Sequence, residues 1–432
     1  MILLTRPLNL RGNRQKKMKE SETHYPAQAG WERGRPTGAG GKKQSGQVRV
    51  VHIITRLILG GAQENTLLTV EGLQAKREYE VWLISGPALG PEGSLISRAR
   101  ANKVNLIIIP EMRRNIYPLK DAVAFFKLYR LIRKINPQIV HTHSSKAGFL
   151  GRLAAYLARV KVIVHTIHGL PFHPYQSKFI NFIYILTERI AASVTHRIIS
   201  VADAMTHQAV KAGVGKPAQY ETIYSGLELN KFKNLSSPQR LRQELGIREN
   251  QKVIGTIARL FPLKGYDYLL KIAPAVIKLI PEVRFLFVGD GILKDKIISE
   301  SRKSGIAEHI ILAGLVNPER IPEMINIMDV LVHPSLREGL PRAVPQALAL
   351  GKPVVAFDLD GTREVLRRGE TGWLVTPTDF EQMTKDIVAI LTGDKVTVQK
   401  MGERGRDLVY QKFDAGLMVE KINAVYQKLL AF

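Results

Sequence analysis

The 432-residue chain has no cysteine, which excludes disulfides, thiolate catalysis and Cys-ligated zinc. It has no apolar run near the roughly 18 residues of a spanning helix. The best stretch, 179–194, is broken by Asn181, Glu188 and Arg189. No Gly-x-Gly-x-x-Gly follows a strand-like run, which argues against a dinucleotide dehydrogenase. Gly213-Val214-Gly215-Lys216 is only part of a phosphate loop. Val210 stands where its first glycine belongs, and Pro217 replaces the Ser/Thr. Acidic residues are scarce, 38 against 63 Lys and Arg, for a net charge of +25.

That charge is uneven. Residues 1–47 carry +7, residues 48–226 carry +13 and residues 227–432 only +5. A basic first half calls for an anionic partner: nucleic acid, an acidic membrane surface or a phosphorylated substrate. Residues 1–47 lack hydrophobic periodicity and read as a basic tail. Their apolar start, Ile2-Leu3-Leu4, is too short for a signal peptide.

From Val48 the pattern becomes regular. Strand-like runs at 48–55, 79–85, 104–110, 138–141, 161–166 and 197–201 alternate with helical stretches, among them 119–135. The alternation restarts near Lys252, with strands at 253–258, 284–289, 310–313, 330–334 and 353–357. Such alternation predicts parallel sheets covered by helices on both faces. The chain thus reads as two α/β halves, 48–226 and 227–414, with a last helix over about 415–432 that returns to the first half. Ligands bind beyond the carboxyl ends of parallel strands, so the cleft between two such sheets is the expected site.

Two elements in the second half carry chemistry. In 334–356 a strand ends, a loop carries Glu338-Gly339-Leu340 and a helix is expected to begin near Pro341, a residue suited to a first helical turn. Gln346 follows Glu338 by two helical turns. In 257–264, Arg259 and Lys264 sit on a short loop past a strand end, a pair suited to a diphosphate. Gly289 closes a third strand. Asp358-Leu359-Asp360 is formally a metal-binding spacing, but a turn with a helix cap explains it as well. His141 and His143 lack a neighbouring third ligand in sequence, so no metal site is assigned.

Together these segments resemble the nucleotide-binding half of the retaining glycosyltransferases of family 4, which have the two-domain GT-B fold. Glu338, Gly339, Leu340, Pro341, Ala347, Gly351, Pro353, Val354, Val355 and Ala356 match the family pattern, and Arg259 and Lys264 match its phosphate-binding pair. The second acidic position, which holds the ribose in the family, is Gln346 here. A glutamine keeps a hydrogen bond but not its charge assistance. Glu338 matches the residue that contacts the transferred sugar. The first half resembles the family's acceptor domain. Gly60-Gly61 fits its glycine turn, His168 its active-site histidine and 223–232 its hinge. His168 also reads as a histidine buried at a strand end. His143, Ser144 and Lys146 are candidates for the acceptor side, with His143 open between site and core.

The resemblance implies transfer of a hexosyl group from a nucleotide diphosphate sugar, UDP-sugar ahead of GDP-sugar, to an acceptor hydroxyl on a lipid-linked or cell-surface glycan precursor. Retained configuration and no obligatory cofactor or metal are part of that expectation. So is a cytoplasmic protein peripheral to an anionic membrane, because Lys120, Lys127, Arg130 and Lys134 share one helical face while Phe125, Phe126, Leu128, Leu131 and Ile132 are free to pack on the sheet. A GT-B sugar-nucleotide epimerase and a non-catalytic homologue stay open. A nucleic-acid partner is not expected, because no nucleic-acid module is recognisable.

Overall fold

In the first half, long apolar runs such as VRVVHII are buried on both faces, as parallel strands require. The computed structural model describes residues 46–90 and 92–431; the rest of the expected basic tail lies outside them. Strands β1 (Val48–Ile54), β2 (Tyr79–Ser85), β3 (Asn105–Ile108), β4 (Ile139–His143), β5 (Val162–Ile167), β6 (Arg197–Ser200) and β7 (Tyr220–Thr222) form one parallel sheet in the order β3-β2-β1-β4-β5-β6-β7. Strands β8 (Lys252–Ile257), β9 (Val283–Val288), β10 (Ile310–Gly314), β11 (Val330–His333), β12 (Val354–Phe357) and β13 (Trp373–Val375) form a second, in the order β10-β9-β8-β11-β12-β13. Strand β13 has three residues, too few to show a period in sequence.

In both sheets the winding direction reverses between two central strands, β1 and β4 in the first, β8 and β11 in the second. Helices leave on opposite sides there, and a crevice opens beyond the carboxyl ends. The segments after these four strands hold Gly60-Gly61, Ser144, Arg259 and Glu338.

The two sheets belong to one compact unit, Val48–Phe432. An apolar cluster runs across both, joining Leu170, Ala202 and Met205 to Leu340, Ala343 and Val344. Polar contacts reinforce it. The helix Asp203–Lys211 has no side-chain cap of its own, and the Glu364 carboxylate accepts from the N–H groups of Asp203 (2.8 Å) and Ala204 (2.9 Å). A carboxylate there satisfies free donors and complements the positive end of the helix.

The chain crosses between the sheets twice, side by side. Leu227 N–H donates to Phe413 O (2.7 Å) and Ala415 N–H to Leu227 O (3.0 Å). After the second crossing, the helix Ala415–Leu430 lies on the first sheet, where Met418, Val419, Ile422, Val425 and Tyr426 share a core with Val50, Leu67 and Val70.

Two expectations need correction. The helix near Pro341 begins at Ala343, with Arg342 as its cap residue, so Pro341 lies in the loop and not in the first turn. Phe126 does not pack on the sheet; it is 58% exposed, and the helix Pro118–Ile135 buries Ala124, Leu128, Ile132 and Ile135 instead. The spacing 124, 128, 132, 135 is the core-facing stripe, and Phe126 falls outside it.

Because Ile422 is buried in the first sheet's core, Ile422→Ala is expected to cost about 2–5 kcal/mol of stability. Denaturant unfolding measures it. A loss near zero would mean that the last helix is not part of that core.

Candidate active site

The carboxyl ends of both sheets line a cleft of about 530 Å³. The second sheet and its loops supply Arg259, Lys264, Gly289, Glu338, Gly339, Leu340, Pro341 and Gln346; the first supplies Gly60, Gly61 and His168. Residues up to 290 positions apart in sequence thus meet in one space, as Arg56 and Gln346 show.

The cleft is cationic. Beside Arg259 and Lys264 stand Arg56, just past β1, and Arg114. Neither was singled out in the sequence, because a lone arginine past a strand has no spacing signature. Glu92 is the counter-ion, 3.5 Å from Arg56 and 4.0 Å from Arg259. Burial, then the Arg114 charge, pull the Arg259 guanidinium below its usual range, with Glu92 and Glu338 opposing. Burial also lowers Arg56, Glu92 opposes, and Arg114 and Arg259 lower it further. Guanidinium stays protonated regardless, so a bound polyanion would relieve the crowding.

Glu338 sits opposite these cations. Lys264 Nζ donates to Glu338 Oε1 (2.6 Å), and His333 Nε2 lies 3.3 Å from the same oxygen. Burial works against the carboxylate's charge, but Lys264 and His333 outweigh it and hold the carboxyl well below the usual range. Asp360 fixes the loop: its Oδ2 accepts from Glu338 N–H (3.0 Å) and its Oδ1 from Gln208 Nε2 (2.9 Å). Asp358 pairs with Arg363. The Asp358-Leu359-Asp360 segment therefore builds loop structure.

Two glycines lie at the junction of the sheets, Gly339 against backbone and Gly61 against a side chain. A Cβ on Gly339 would stand 2.2 Å from His168 O, and one on Gly61 would stand 2.6 Å from Arg342 Cδ. Arg342 spans the junction, donating to Gly226 O (3.1 Å) and Glu64 Oε2 (3.1 Å). Glu64 and Arg342 also line the cleft and were missed in the sequence.

The acceptor-side candidates separate. Ser144 lines a smaller cavity of about 240 Å³ that also touches His168, and its hydroxyl bonds Thr55 Oγ1 at 2.7 Å. His143 reaches neither cavity; it is 1% exposed and lies behind His168, their Nδ1 and Nε2 atoms 3.1 Å apart. Lys146 also lines neither, because Asp121 (2.6 Å) and Asn115 O hold its ammonium elsewhere. Of the three acceptor-side candidates, Ser144 stands at a cavity wall, His143 behind His168 and Lys146 beside Asp121.

His52, His141 and His143 bring ring nitrogens within 4.8 Å of one another. All six ring nitrogens already face hydrogen-bonding partners, so no lone pairs converge on a cation position. Burial pushes His52 and His168 down to about 3, and pulls His141, His143 and His165 well below the usual range. Nearby cationic or imidazole groups add to this for all but His52.

Unfolded, these five rings take up protons near pH 6.5; folded, they resist. The unfolded chain binds more protons, so their contribution is complete above about pH 6.5 and is lost as the pH falls below it, for His52 and His168 down to about 3. The melting temperature should therefore drop steeply between pH 7 and pH 5. A flat profile would contradict the neutral cluster.

Comparison with known proteins matches this architecture. Residues 59–231 match Glycosyltransferase Family 4, and residues 238–408 match Glycosyl transferases group 1. The UDP-Gal:alpha-D-GlcNAc-diphosphoundecaprenol alpha-1,3-galactosyltransferase of Escherichia coli is 30% identical over 389 residues, covering 89% of this chain and 98% of that one. The capsular polysaccharide biosynthesis glycosyltransferase CapM of Staphylococcus aureus is 24% identical, covering 75% and 85%. Among solved structures, Anabaena HepE in complex with UDP and glucose shares the fold, with a TM-score of 0.76 at 20% identity over 88% of this chain and 100% of that one. Both halves match, and the similarity to the E. coli enzyme spans nearly its whole length: this chain belongs to glycosyltransferase family 4 and has the GT-B fold.

Proposed function

We propose that the protein transfers a hexosyl group from a UDP-sugar to a hydroxyl of a lipid-linked glycan precursor, with retention of anomeric configuration. The observation that carries this reading is the convergence of Arg259, Lys264 and Glu338 from one sheet with His168 from the other in one cleft. A UDP donor is supported by the names of the E. coli relative, for UDP-Gal, and of the Anabaena complex, with UDP and glucose. The lipid-linked acceptor is supported by the diphosphoundecaprenol in the E. coli relative's name.

In this reading the donor diphosphate lies against Arg259 and Lys264, with Arg56 and Arg114 nearby. As the glycosidic bond breaks, negative charge grows on the leaving phosphate, and these cations stabilise it without reorganising. The departing phosphate oxygen takes the acceptor's proton as the acceptor oxygen bonds to the anomeric carbon on the same face. Glu338, ionised at any physiological pH, accepts from hydroxyls of the transferred sugar. Gln346 bonds the ribose as a neutral group.

The test is a panel of UDP- and GDP-sugars, with and without a polyprenyl-diphosphate sugar. Sugar transfer and UDP release are expected only with the acceptor present. An epimerised product from donor alone would make the protein an epimerase instead. Lys264→Ala should retain the fold by circular dichroism and lower turnover about a hundredfold. Unchanged turnover would remove Lys264 from the diphosphate site.

The acceptor domain is also proposed to lie on an anionic membrane. Among the described residues no helix is long and apolar enough to cross one. On the helix Lys178–Ser193, Phe179, Phe182, Leu186 and Ile190 are all exposed, at spacings of three and four that place them on one face. Leu119 and Phe126 are exposed on Pro118–Ile135, and the helix Ser145–Leu157 packs against both helices. Lys120 and Arg130 lie exposed on Pro118–Ile135, whereas Lys127 is paired with Glu111 at 2.6 Å. Exposed apolar side chains beside cations suit an interfacial position. Cosedimentation with anionic vesicles is expected, weakened by salt, by Phe179→Ser with Phe182→Ser, and by Lys120→Glu with Arg130→Glu. Absence of binding to any vesicle would return a soluble acceptor to first place.

A further inference from the structure

Behind His168 runs an unbroken chain of hydrogen bonds through the core of the first sheet. His168 Nε2 faces His143 Nδ1 (3.1 Å), and His143 Nε2 faces His52 Nδ1 (3.0 Å). His52 Nε2 faces Tyr426 Oη (3.4 Å), which faces His141 Nδ1 (2.5 Å); His141 Nε2 ends on Thr166 Oγ1 (2.7 Å). The interior members are buried, and Tyr426 comes from the last helix, which returns from the second sheet.

We propose that His143, His52, Tyr426 and His141 are positioning residues that act through this chain to hold His168 as its Nδ1–H tautomer, a hydrogen-bond donor to the ligand in the cleft. A neutral imidazole has one donor and one acceptor nitrogen. Every ring–ring junction needs one of each, so His168, His143 and His52 share one tautomer, while the Tyr426 oxygen can accept from both of its neighbours. Three arrangements satisfy all five junctions: every ring Nδ1–H; every ring Nε2–H; or His168, His143 and His52 Nε2–H with His141 Nδ1–H, both His52 and His141 then donating to Tyr426 Oη.

The ends decide between them. With every ring Nδ1–H, Thr166 donates to His141, Tyr426 to His52 and His143 to His168. Only His168 Nδ1–H is then left over, and Nδ1 is the ring nitrogen of His168 with no partner among the described residues. With every ring Nε2–H, the Thr166 hydroxyl must accept from His141. Its own proton then lacks an acceptor, since His141 is the partner of that hydroxyl among the described residues, and His168 Nδ1 is also unpaired. The first arrangement leaves one group unmet; the second leaves two, and so does the third, in which the Tyr426 proton and His168 Nδ1 are unmet, and an unmet buried group is costly. Burial keeps the rings neutral, so each has one donor and one acceptor nitrogen. His168 lines the cleft, and its buried Nδ1–H is the one ring group left for a hydroxyl or phosphate oxygen to reach from there.

The experiment is nitrogen-15 NMR of ring-labelled full-length protein, with His168 assigned by difference from His168→Gln. His168 is expected neutral and protonated at Nδ1, with His143 and His52 in the same tautomer. In Tyr426→Phe the chain is cut, and the His168 signals should move toward the Nε2–H form. The kinetic arm rests on the proposed transferase reading: Tyr426→Phe should lower kcat about tenfold with little change in donor KM. Ile422→Ala, which loosens the same helix without touching the chain, should leave kcat and the His168 tautomer near wild type. An Nε2–H tautomer in the wild type, unmoved His168 signals in Tyr426→Phe, or an equal kcat loss in Ile422→Ala would each overturn the proposal. If the tautomer shifts as expected while no nucleotide sugar is turned over, the transferase reading fails and the positioning chain stands.

Discussion

The contact between the Gly339 backbone and the His168 carbonyl is the constraint on which the cleft depends. Only a residue without a side chain lets the loop after β11 come this close to the segment after β5. With the two loops in register, Glu338 and His168 face one space, and Arg342 reaches Glu64 and Gly226 across the junction. Glu364 at the start of Asp203–Lys211 and the apolar cluster around Met205 and Leu340 hold the same register from the side. A bulkier residue at 339 would push apart surfaces that all these contacts need together.

The cleft brings two kinds of group together. Loops of both sheets present cations, Arg56 and Arg114 from the first and Arg259 and Lys264 from the second, with Glu92 and Glu338 as counter-charges. The first sheet presents imidazoles that burial keeps neutral. Charged histidines beside these cations would add repulsion in a poorly solvated space. The cleft thus sets a cluster of cations beside neutral, directional hydrogen-bonding groups.

The fold was largely legible in the sequence. Alternating strands and helices announced both sheets, and Tyr79–Ser85 has the very bounds read from the pattern. On the second sheet Arg259, Lys264, Glu338 and Gln346 stood out because their two short segments resemble a family pattern, and all four line the cleft. What was not legible has a common cause. Arg56, Arg114 and Glu92 enter the cleft as isolated residues on separate loops, and no local period links them.

By itself, the sequence determined the parallel sheets, their strand ends and the residue types poised beyond them, because hydrophobic period and local spacing are properties of neighbouring residues. Which way a side chain points at the end of a strand was decided only in three dimensions. His143 and Ser144 are adjacent, yet one turns into the core toward His52 and the other lines a cavity. Lys146 is drawn aside by Asp121, from a helix that precedes it in the chain. Tyr426 reaches the histidines only because the last helix folds back onto the first sheet. Each outcome is set by partners distant in sequence, whose positions exist only once the sheets have packed.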